Sequence, residues 1–177
     1  RSAQYLEASI RTIERSFENE FQIDLEQIQR KISKRTRAII LTNLHNPSGT
    51  AIGMEKLRTI GQIARHYNAY VVCDEVYKDI VFEGAPPPPA FTLGENMITM
   101  SSFSKIYGLG ALRSGWILCS EAVQSKIRKI ENYFLGSTPL PSEKLLLAAF
   151  NKREELLNRS RNMLLPNFDI LKNWMEQ

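Results

Sequence analysis

Residues 100–116 read MSSFSKIYGLGALRSGW, and this stretch determines how the rest of the sequence is interpreted. A short apolar strand leads into a group of hydroxyls, followed by a lysine, a turn punctuated by glycines, and an arginine. Ser102 and Ser104 both precede Lys105, and Arg113 follows eight positions after the lysine. Most lysines lie on open solvated surface, so a lysine inside a tight serine-rich turn indicates a binding role.

The composition is that of an ordinary globular protein. The chain has 177 residues, of which 43% are hydrophobic and 24% charged, enough for one domain with a real core. No apolar run approaches the roughly 18 residues that a bilayer requires, so no membrane association is predicted. The net charge of +4 is too small to indicate a partner.

Three features that could indicate other functions have simpler explanations. The basic run at 30–37 resembles a helix end whose charges complement the macrodipole, and it has no interleaved aromatics for stacking on bases, so no nucleic acid is predicted. Cys73 and Cys119 stand in apolar stretches without a CxxC motif, which fits free thiols in a reducing cytoplasm. His45 and His66 are too isolated to predict a metal site.

Hydrophobic periodicity predicts alternating strands and helices. Polar residues 1–23 alternate in a way that predicts an exposed strand followed by a loop, and four prolines at 86–89 predict an extended surface loop. Pro166 is expected to kink or break the last helix. The predicted strands cover residues 38–42, 69–77, 97–102 and 114–120. The predicted helices cover residues 24–32 with Asp24 as N-cap, 54–68, 121–136 and 141–177.

This order predicts an α/β fold with three layers, α/β/α, and a mostly parallel sheet. The strand at 114–120 follows its predecessor after a turn too short for a helical crossover, so it should be the one antiparallel strand. In such sheets ligands bind beyond the carboxyl ends of the strands. The candidate residues at that edge are Asn46, Asp74, Tyr77, Ser102, Ser104, Lys105 and Arg113.

Each of these residues alone has an ordinary explanation, such as a turn, a satisfied buried carboxylate, a surface amine or half of a salt bridge. Taken together, these residues do not fit several common kinds of catalytic or nucleotide-binding site. No histidine pairs with a serine as a hydrolase requires, and Gly108-Leu109-Gly110 lacks the third glycine of a dinucleotide fingerprint. The serines and Arg113 suit a phosphate, because hydroxyls donate to its oxygens and a guanidinium binds it bidentately.

An amine beside a bound phosphate can form a Schiff base with an aldehyde when it is neutral. An aldehyde that carries a phosphate and attaches to lysine is pyridoxal 5'-phosphate. That cofactor also requires a carboxylate to keep its ring nitrogen protonated, and Asp74 can supply one.

Three motifs carry a family resemblance. NPSGT at 46–50, CDEVY at 73–77 and SFSKIYGLGALRSGW at 102–116 occur in order and at matching intervals. The chain thereby resembles the class I and II aminotransferases, which are fold type I pyridoxal-phosphate enzymes, over nearly all of residues 5–170. The resemblance implies an enzyme that transfers an amino group between an amino acid and a 2-oxo acid.

The resemblance also implies a role for each matched residue. Lys105 attaches the cofactor and then shuttles the proton between the substrate alpha carbon and the cofactor, and Asp74 pairs with the pyridinium nitrogen. Tyr77 and Asn46 bind the phenolic oxygen of the ring, while the phosphate contacts are Ser102, Ser104 and Arg113. The Asn46–Pro47 peptide bond is expected to be cis, an isomer found in only about 5–6% of X-Pro bonds.

Family members are about twice as long as this chain. Residues 1–165 are therefore expected to be the central, incomplete part of the cofactor-binding large domain, and 166–177 the start of the helix that leads to the small domain. On this expectation the chain by itself is a weak catalyst or none, and its exposed apolar surface favours self-association. The longer parent protein is expected to be a homodimer in the cytoplasm.

Two alternatives remain open from the sequence. A pyridoxal-phosphate-dependent beta-lyase that cleaves carbon–sulfur bonds shares the lysine, the aspartate and the arginine. An aminotransferase-like sensing domain of a transcription regulator also shares them, with its DNA-binding segment elsewhere.

Overall fold

Four strands form one mixed sheet at the centre of the computed structural model, which describes residues 2–81, 84–134 and 139–177. The strands are β1 (Ala38–Thr42), β2 (Tyr70–Asp74), β3 (Met97–Ser102) and β4 (Gly115–Leu118). They lie in the order β1-β2-β3-β4, with the first three parallel and β4 antiparallel to β3. The predicted sheet, with its single antiparallel strand, is confirmed.

Helices flank the sheet: two precede β1, one connects β1 to β2, and three follow β4. They are α1 (Ser2–Tyr5), α2 (Leu25–Lys31), α3 (Met54–His66), α4 (Glu121–Phe134), α5 (Leu140–Asn151) and α6 (Arg153–Met175). Short 3₁₀ turns cover Ala90–Leu93 and Gly110–Leu112. Asp24 is the N-cap of α2, as predicted, and its Oδ1 accepts a hydrogen bond from the Glu26 amide at 2.8 Å.

The strand expected within residues 1–23 is wrong. Apart from α1, the described part of this segment is irregular, and side chains rather than a strand ladder hold it against α2. Arg11 donates to the Lys31 carbonyl and Lys31 donates to the Thr12 carbonyl, at 3.0 and 2.7 Å. Positive φ angles at Glu20 and Phe21 also turn the chain away from an extended path.

Two predictions for the C-terminal helical region also differ from the structure. The predicted final helix is two helices, because the chain leaves helical geometry at Lys152, where φ is −110°. The break expected at Pro166 does not occur, since α6 continues to Met175. Pro166 lies on an exposed part of the helix, where water can serve the carbonyl that loses its donor, and the Asn167 side-chain Nδ2 donates to the Met163 carbonyl at 2.8 Å.

The main core lies between α3 and one face of the sheet. Gly61 lets the helix approach β3 closely, because a Cβ at this position would lie 2.8 Å from the Met97 sulfur. The buried members of this core are Ile23, Ile28, Leu41, Ile52, Leu57, Ile60, Ala64, Ala69, Val71, Cys73, Ala90 and Met97. The opposite sheet face is exposed at Ile40, Met100 and Ile117.

A second apolar cluster lies beyond the carboxyl end of β3. Phe103 and Tyr107, from the turn after β3, are fully buried and their ring centroids lie 4.7 Å apart. Ala149 of α5 and Leu157 of α6 pack into the same cluster. The two C-terminal helices therefore support the turn that contains Lys105.

Within the described residues, no helix combines the length and the apolar character needed to cross a membrane.

Candidate functional site

The carboxyl ends of β1, β2 and β3 meet at one edge of the sheet. Thr42 pairs with Asp74, and Asp74 pairs with Met100, so the parallel strands end nearly level. Ser102 at the end of β3 pairs with Gly115 at the start of β4. This edge therefore gathers the residues that follow each parallel strand and those that precede β4.

Asp74 is the last residue of β2 and is half-buried. Its Oδ1 accepts a hydrogen bond from the Val76 amide at 3.1 Å, which turns the chain sharply out of the sheet. The sequence predicted that β2 would extend to Tyr77. Because of this turn, the strand ends at Asp74. No partner is found for Oδ2 in the parts of the chain that are described, so one carboxylate oxygen is free to bind a ligand.

Asn46 lies in the turn that follows β1, and its side chain is exposed. The Asn46–Pro47 peptide bond is cis, as predicted. Two bonds hold the turn, one between His45 Nδ1 and Ser48 Oγ at 2.8 Å and one from Thr50 Oγ1 to the Glu20 carbonyl at 2.9 Å. Burial and then the nearby Arg15 charge lower the pKa of His45, which favours its neutral form.

The turn after β3 presents the next three candidates. Ser104 donates its backbone N–H to Ser102 Oγ at 3.2 Å, the one hydrogen bond that joins two of the seven candidates among the described residues. The Lys105 side chain is exposed. Its amine has neither a hydrogen-bond partner nor an ion-pair partner among the residues that the structure describes. The Gly108 amide closes the turn on the Lys105 carbonyl at 2.9 Å, with Gly108 at a φ of +71°.

Arg113 precedes β4 and has a left-handed backbone with φ of 51°. Its guanidinium is exposed and donates to the Gly110 carbonyl at 3.2 Å, which leaves its other N–H groups available. The hairpin is tight at this point, because a Cβ on Gly115 would come within 2.7 Å of the Ser101 carbonyl oxygen. Glycine is therefore required for β4 to approach β3 at the edge where Arg113 lies.

The seven residues thus share one edge of the sheet, and Tyr77 is partly buried against the second apolar cluster. Lys105 and Arg113 supply unpaired cations, Ser102 and Ser104 supply hydroxyls, and Asp74 supplies a free carboxylate oxygen. This donor set fits a ligand that carries an anionic phosphate and a protonated ring nitrogen. Within the described residues no group of three or more His, Cys, Asp or Glu residues could hold a metal ion.

The sequence analysis missed a buried polar network behind this edge. Lys78 Nζ lies 2.7 Å from Asp79 Oδ1 and donates to the Pro87 carbonyl at 2.9 Å, while the Tyr107 hydroxyl donates to Asp79 Oδ2 at 2.6 Å. Burial, then the bond to Asp79, raises the pKa of Tyr107. The sequence did contain a signal for this network, because three charged residues, Glu75, Lys78 and Asp79, come directly after a buried strand.

Glu75 belongs to the same neighbourhood and is 1% exposed. Its Oε1 accepts a hydrogen bond from the Ala90 amide at 2.8 Å, whereas its Oε2 is buried with no partner among the described residues. Burial raises the pKa of Glu75, because desolvation disfavours its charged form. Burial and the adjacent acidic residues also raise the pKa of Cys73, which keeps that thiol protonated.

Comparisons with known proteins agree on one family. The family model described as aminotransferase class I and II matches residues 1–176. An aspartate aminotransferase from Pyrococcus horikoshii is 34% identical over 121 residues, which cover 68% of this chain and 31% of that protein. The matched segments cover only 31%, 34% and 39% of the first three curated relatives.

Solved structures share the fold. A pyridoxal-phosphate-dependent aminotransferase from Streptococcus suis superposes with a TM-score of 0.90 at 28% identity, covering 98% of this chain and 46% of that one. A C-S lyase from Staphylococcus hominis, with bound pyridoxal phosphate, gives a TM-score of 0.84 at 23% identity, covering 99% and 46%. The latter likeness shows a common fold.

Proposed function

The chain belongs to the class I and II aminotransferase family, and we propose that the protein transfers an amino group between an amino acid and a 2-oxo acid with pyridoxal 5'-phosphate as cofactor. The observation that carries this proposal is the meeting of Asp74, with its free carboxylate oxygen, and the turn of the unpaired Lys105 at one sheet edge. The family match and the aminotransferases among its relatives support the same reaction.

The cofactor, when bound, supplies an electron sink that makes the substrate alpha carbon acidic. The Lys105 amine would be the point of covalent attachment, and once substrate is bound it would move the proton between the substrate alpha carbon and the cofactor. Its exposure and lack of partners leave the amine free to move between these positions. Lys105 therefore supplies the unpaired amine that the proposed reaction requires.

Other side chains hold and orient the ring. The free oxygen of Asp74 binds the protonated ring nitrogen, and Tyr77 and Asn46 donate to the phenolic oxygen. Ser102, Ser104 and Arg113 bind the phosphate. Two observations support the phosphate assignment. These residues lie at the same edge of the sheet, and their hydroxyl and guanidinium groups can donate hydrogen bonds to the oxygens of an anionic phosphate.

The proposal extends to the assembly and the location of the protein. Exposed apolar residues on the open sheet face and along α6, including Ile40, Ile117 and Trp174, support a homodimer. The free thiols of Cys73 and Cys119 support a reducing cytoplasm. Residues 1–165 are assigned to the central part of the large domain and 166–177 to the start of the helix toward a small domain.

The cofactor assignment is tested by titrating the protein, expressed from its complete reading frame, with pyridoxal phosphate. A visible absorbance band should appear, and borohydride should then fix the mass of the cofactor on Lys105 in a peptide map. Lys105→Ala should abolish both signals, whereas Lys34→Ala, another exposed lysine, should retain them. A protein without the band, or one with the label on another lysine, contradicts the assignment.

The reaction itself is tested by measuring oxo-acid release from amino acids with and without an acceptor 2-oxo acid. Amino transfer requires the acceptor for turnover, whereas beta-elimination at a carbon–sulfur bond releases an oxo acid without it. Cofactor attachment with neither activity would favour the sensing domain of a transcription regulator.

A further inference from the structure

A single hydrogen bond connects the two turns that carry Tyr77 and Lys105. Asp79 lies two residues after Tyr77, and Tyr107 lies two residues after Lys105. The Tyr107 hydroxyl donates to Asp79 Oδ2 at 2.6 Å. Among the described residues no other hydrogen bond joins residues 76–80 to residues 103–109.

The Asp79 carboxylate is itself held in place. Its other oxygen, Oδ1, lies 2.7 Å from Lys78 Nζ, and Lys78 also donates to the Pro87 carbonyl at 2.9 Å. The side chains of Lys78 and Asp79 are only 11% and 16% exposed. Ions with so little water contact are retained only where their partners are well placed, so this group has little freedom to move.

The Tyr107 end is equally constrained. Its ring is fully buried and packs against Phe103, while its carbonyl accepts a hydrogen bond from Arg159 Nη2 at 2.7 Å. A phenylalanine would pack in the same space, so the hydroxyl is not needed to fill the core. Its distinct contribution is the link to Asp79.

The proposed chemistry gives this link a purpose. Tyr77 contacts the phenolic oxygen of the cofactor ring, and Lys105 attaches to the aldehyde carbon, which is carried on the adjacent ring carbon. The two side chains must therefore hold a fixed relative position, since misplacement by about 1 Å can cost roughly 100-fold in rate. They come from separate turns, so the protein must set that position through a contact between the turns.

We propose that Asp79 is a positioning residue, which through Tyr107 fixes the turn of Tyr77 relative to the turn of Lys105. The purpose of the link rests on the proposed function, whereas the coupling of the two turns does not.

The coupling is tested in the cofactor-free protein by amide hydrogen exchange of wild type, Tyr107→Phe and Asp79→Ala. Loss of one hydrogen bond should accelerate exchange in residues 75–80 and in residues 103–109 by about 2- to 10-fold. The double variant should be no faster than the faster single variant, because both changes delete one link. Tyr70→Phe is the matched control, since its hydroxyl accepts from Lys126 at the opposite end of β2.

Acceleration in only one of the two turns, or none in Tyr107→Phe, overturns the coupling. Tyr107→Phe keeps the test decisive even if Asp79→Ala fails to fold, because it removes one hydroxyl and keeps the buried ring.

The positioning role is tested by a pH titration of the absorbance band in the cofactor-loaded protein. Tyr107→Phe should shift the midpoint of that titration and lower kcat more than it changes KM, whereas Tyr70→Phe should alter neither. A Tyr107→Phe titration identical to wild type overturns the positioning role even where exchange is faster. If the wild type takes up no cofactor, the proposed function and this role fail together, and the exchange result still decides the coupling.

Discussion

Lys105 and Lys78 lie close to the same edge of the sheet and have opposite surroundings. Lys105 is exposed, and its amine has no partner in the described chain, whereas Lys78 is buried between the Asp79 carboxylate and the Pro87 carbonyl. The first arrangement leaves a charge for a ligand to satisfy, and the second uses a charge to hold two loops together. The difference separates residues that bind from residues that position them.

Asp74 and Glu75 repeat this contrast within one dipeptide. Because successive side chains of a strand point to opposite faces, Asp74 emerges half-buried at the edge while Glu75 turns into the interior. Asp74 has an oxygen free for a ligand, and Glu75 has a buried oxygen without a partner. The first acid suits binding, and the second destabilises the fold when it is ionised.

The largest expected effect is the loss of activity in Lys105→Ala. Removing the residue that is proposed to move the substrate proton should lower kcat by about 10²–10⁴-fold. The free energy of unfolding of the cofactor-free protein should change by less than about 0.5 kcal/mol, because the side chain is exposed and unpaired. Steady-state kinetics and urea unfolding measure the two quantities, and a strongly destabilised variant would show that Lys105 has a structural role.

The opposite result is expected for Lys78→Met. This change leaves Asp79 buried without its cation and should lower the free energy of unfolding by about 3 kcal/mol. Urea unfolding measures the loss, and adding Asp79→Asn should restore part of it by removing the uncompensated charge. A loss below about 0.5 kcal/mol would mean that the pair is solvated, like an ordinary surface salt bridge.

Gly115→Ala tests whether the edge depends on close backbone approach. The added Cβ would lie 2.7 Å from the Ser101 carbonyl oxygen, so β4 must shift, at a cost of about 1–3 kcal/mol. Since Gly115 pairs with Ser102, the shift should also weaken cofactor binding. Gly53→Ala is the control, because nothing lies within 4 Å of its added Cβ, and it should leave cofactor affinity unchanged. Equal effects from the two variants would contradict the prediction.

The smallest expected effect is a stabilisation in Glu75→Gln. The amide keeps the acceptor for Ala90 and removes the buried charge, so the gain at neutral pH should be about 1 kcal/mol. Because the folded-state pKa of Glu75 is raised, wild type is most stable where this group is protonated, below its ordinary value near 4.5. Wild type then loses stability as the pH rises through the folded-state pKa.

The gap between Glu75→Gln and wild type should therefore widen from acid to neutral pH, as measured by urea unfolding across a pH series. A gap that narrows as the pH rises would show that Glu75 is stabilised as an anion. Asp74→Asn provides the comparison, because it should reduce cofactor binding without a similar stabilisation.

Much of the fold was predictable because local patterns carried it. Strands β1 and β3 have the predicted bounds, and Asp24 caps α2, since β-branched apolar runs and capping side chains act over a few residues. The N-terminal segment was mispredicted because alternation alone cannot show that a strand lacks a pairing partner. The break at Pro166 was mispredicted because an exposed helix tolerates a lost hydrogen bond better than a buried one.

By itself, the sequence determined the family, the succession of strands along the chain and which residues follow the parallel strands, because motif spacing and periodicity are local properties of a chain. Only the tertiary structure decided which charges are free and which are paired. Lys78, Asp79 and Tyr107 come together across 29 positions of sequence, between 78 and 107, through packing of α5 and α6 beneath the turn of Lys105. The local motif singled out Lys105 as a binding residue, but burial and hydrogen bonding depend on those distant contacts, so no local pattern showed that Lys78 is buried and paired.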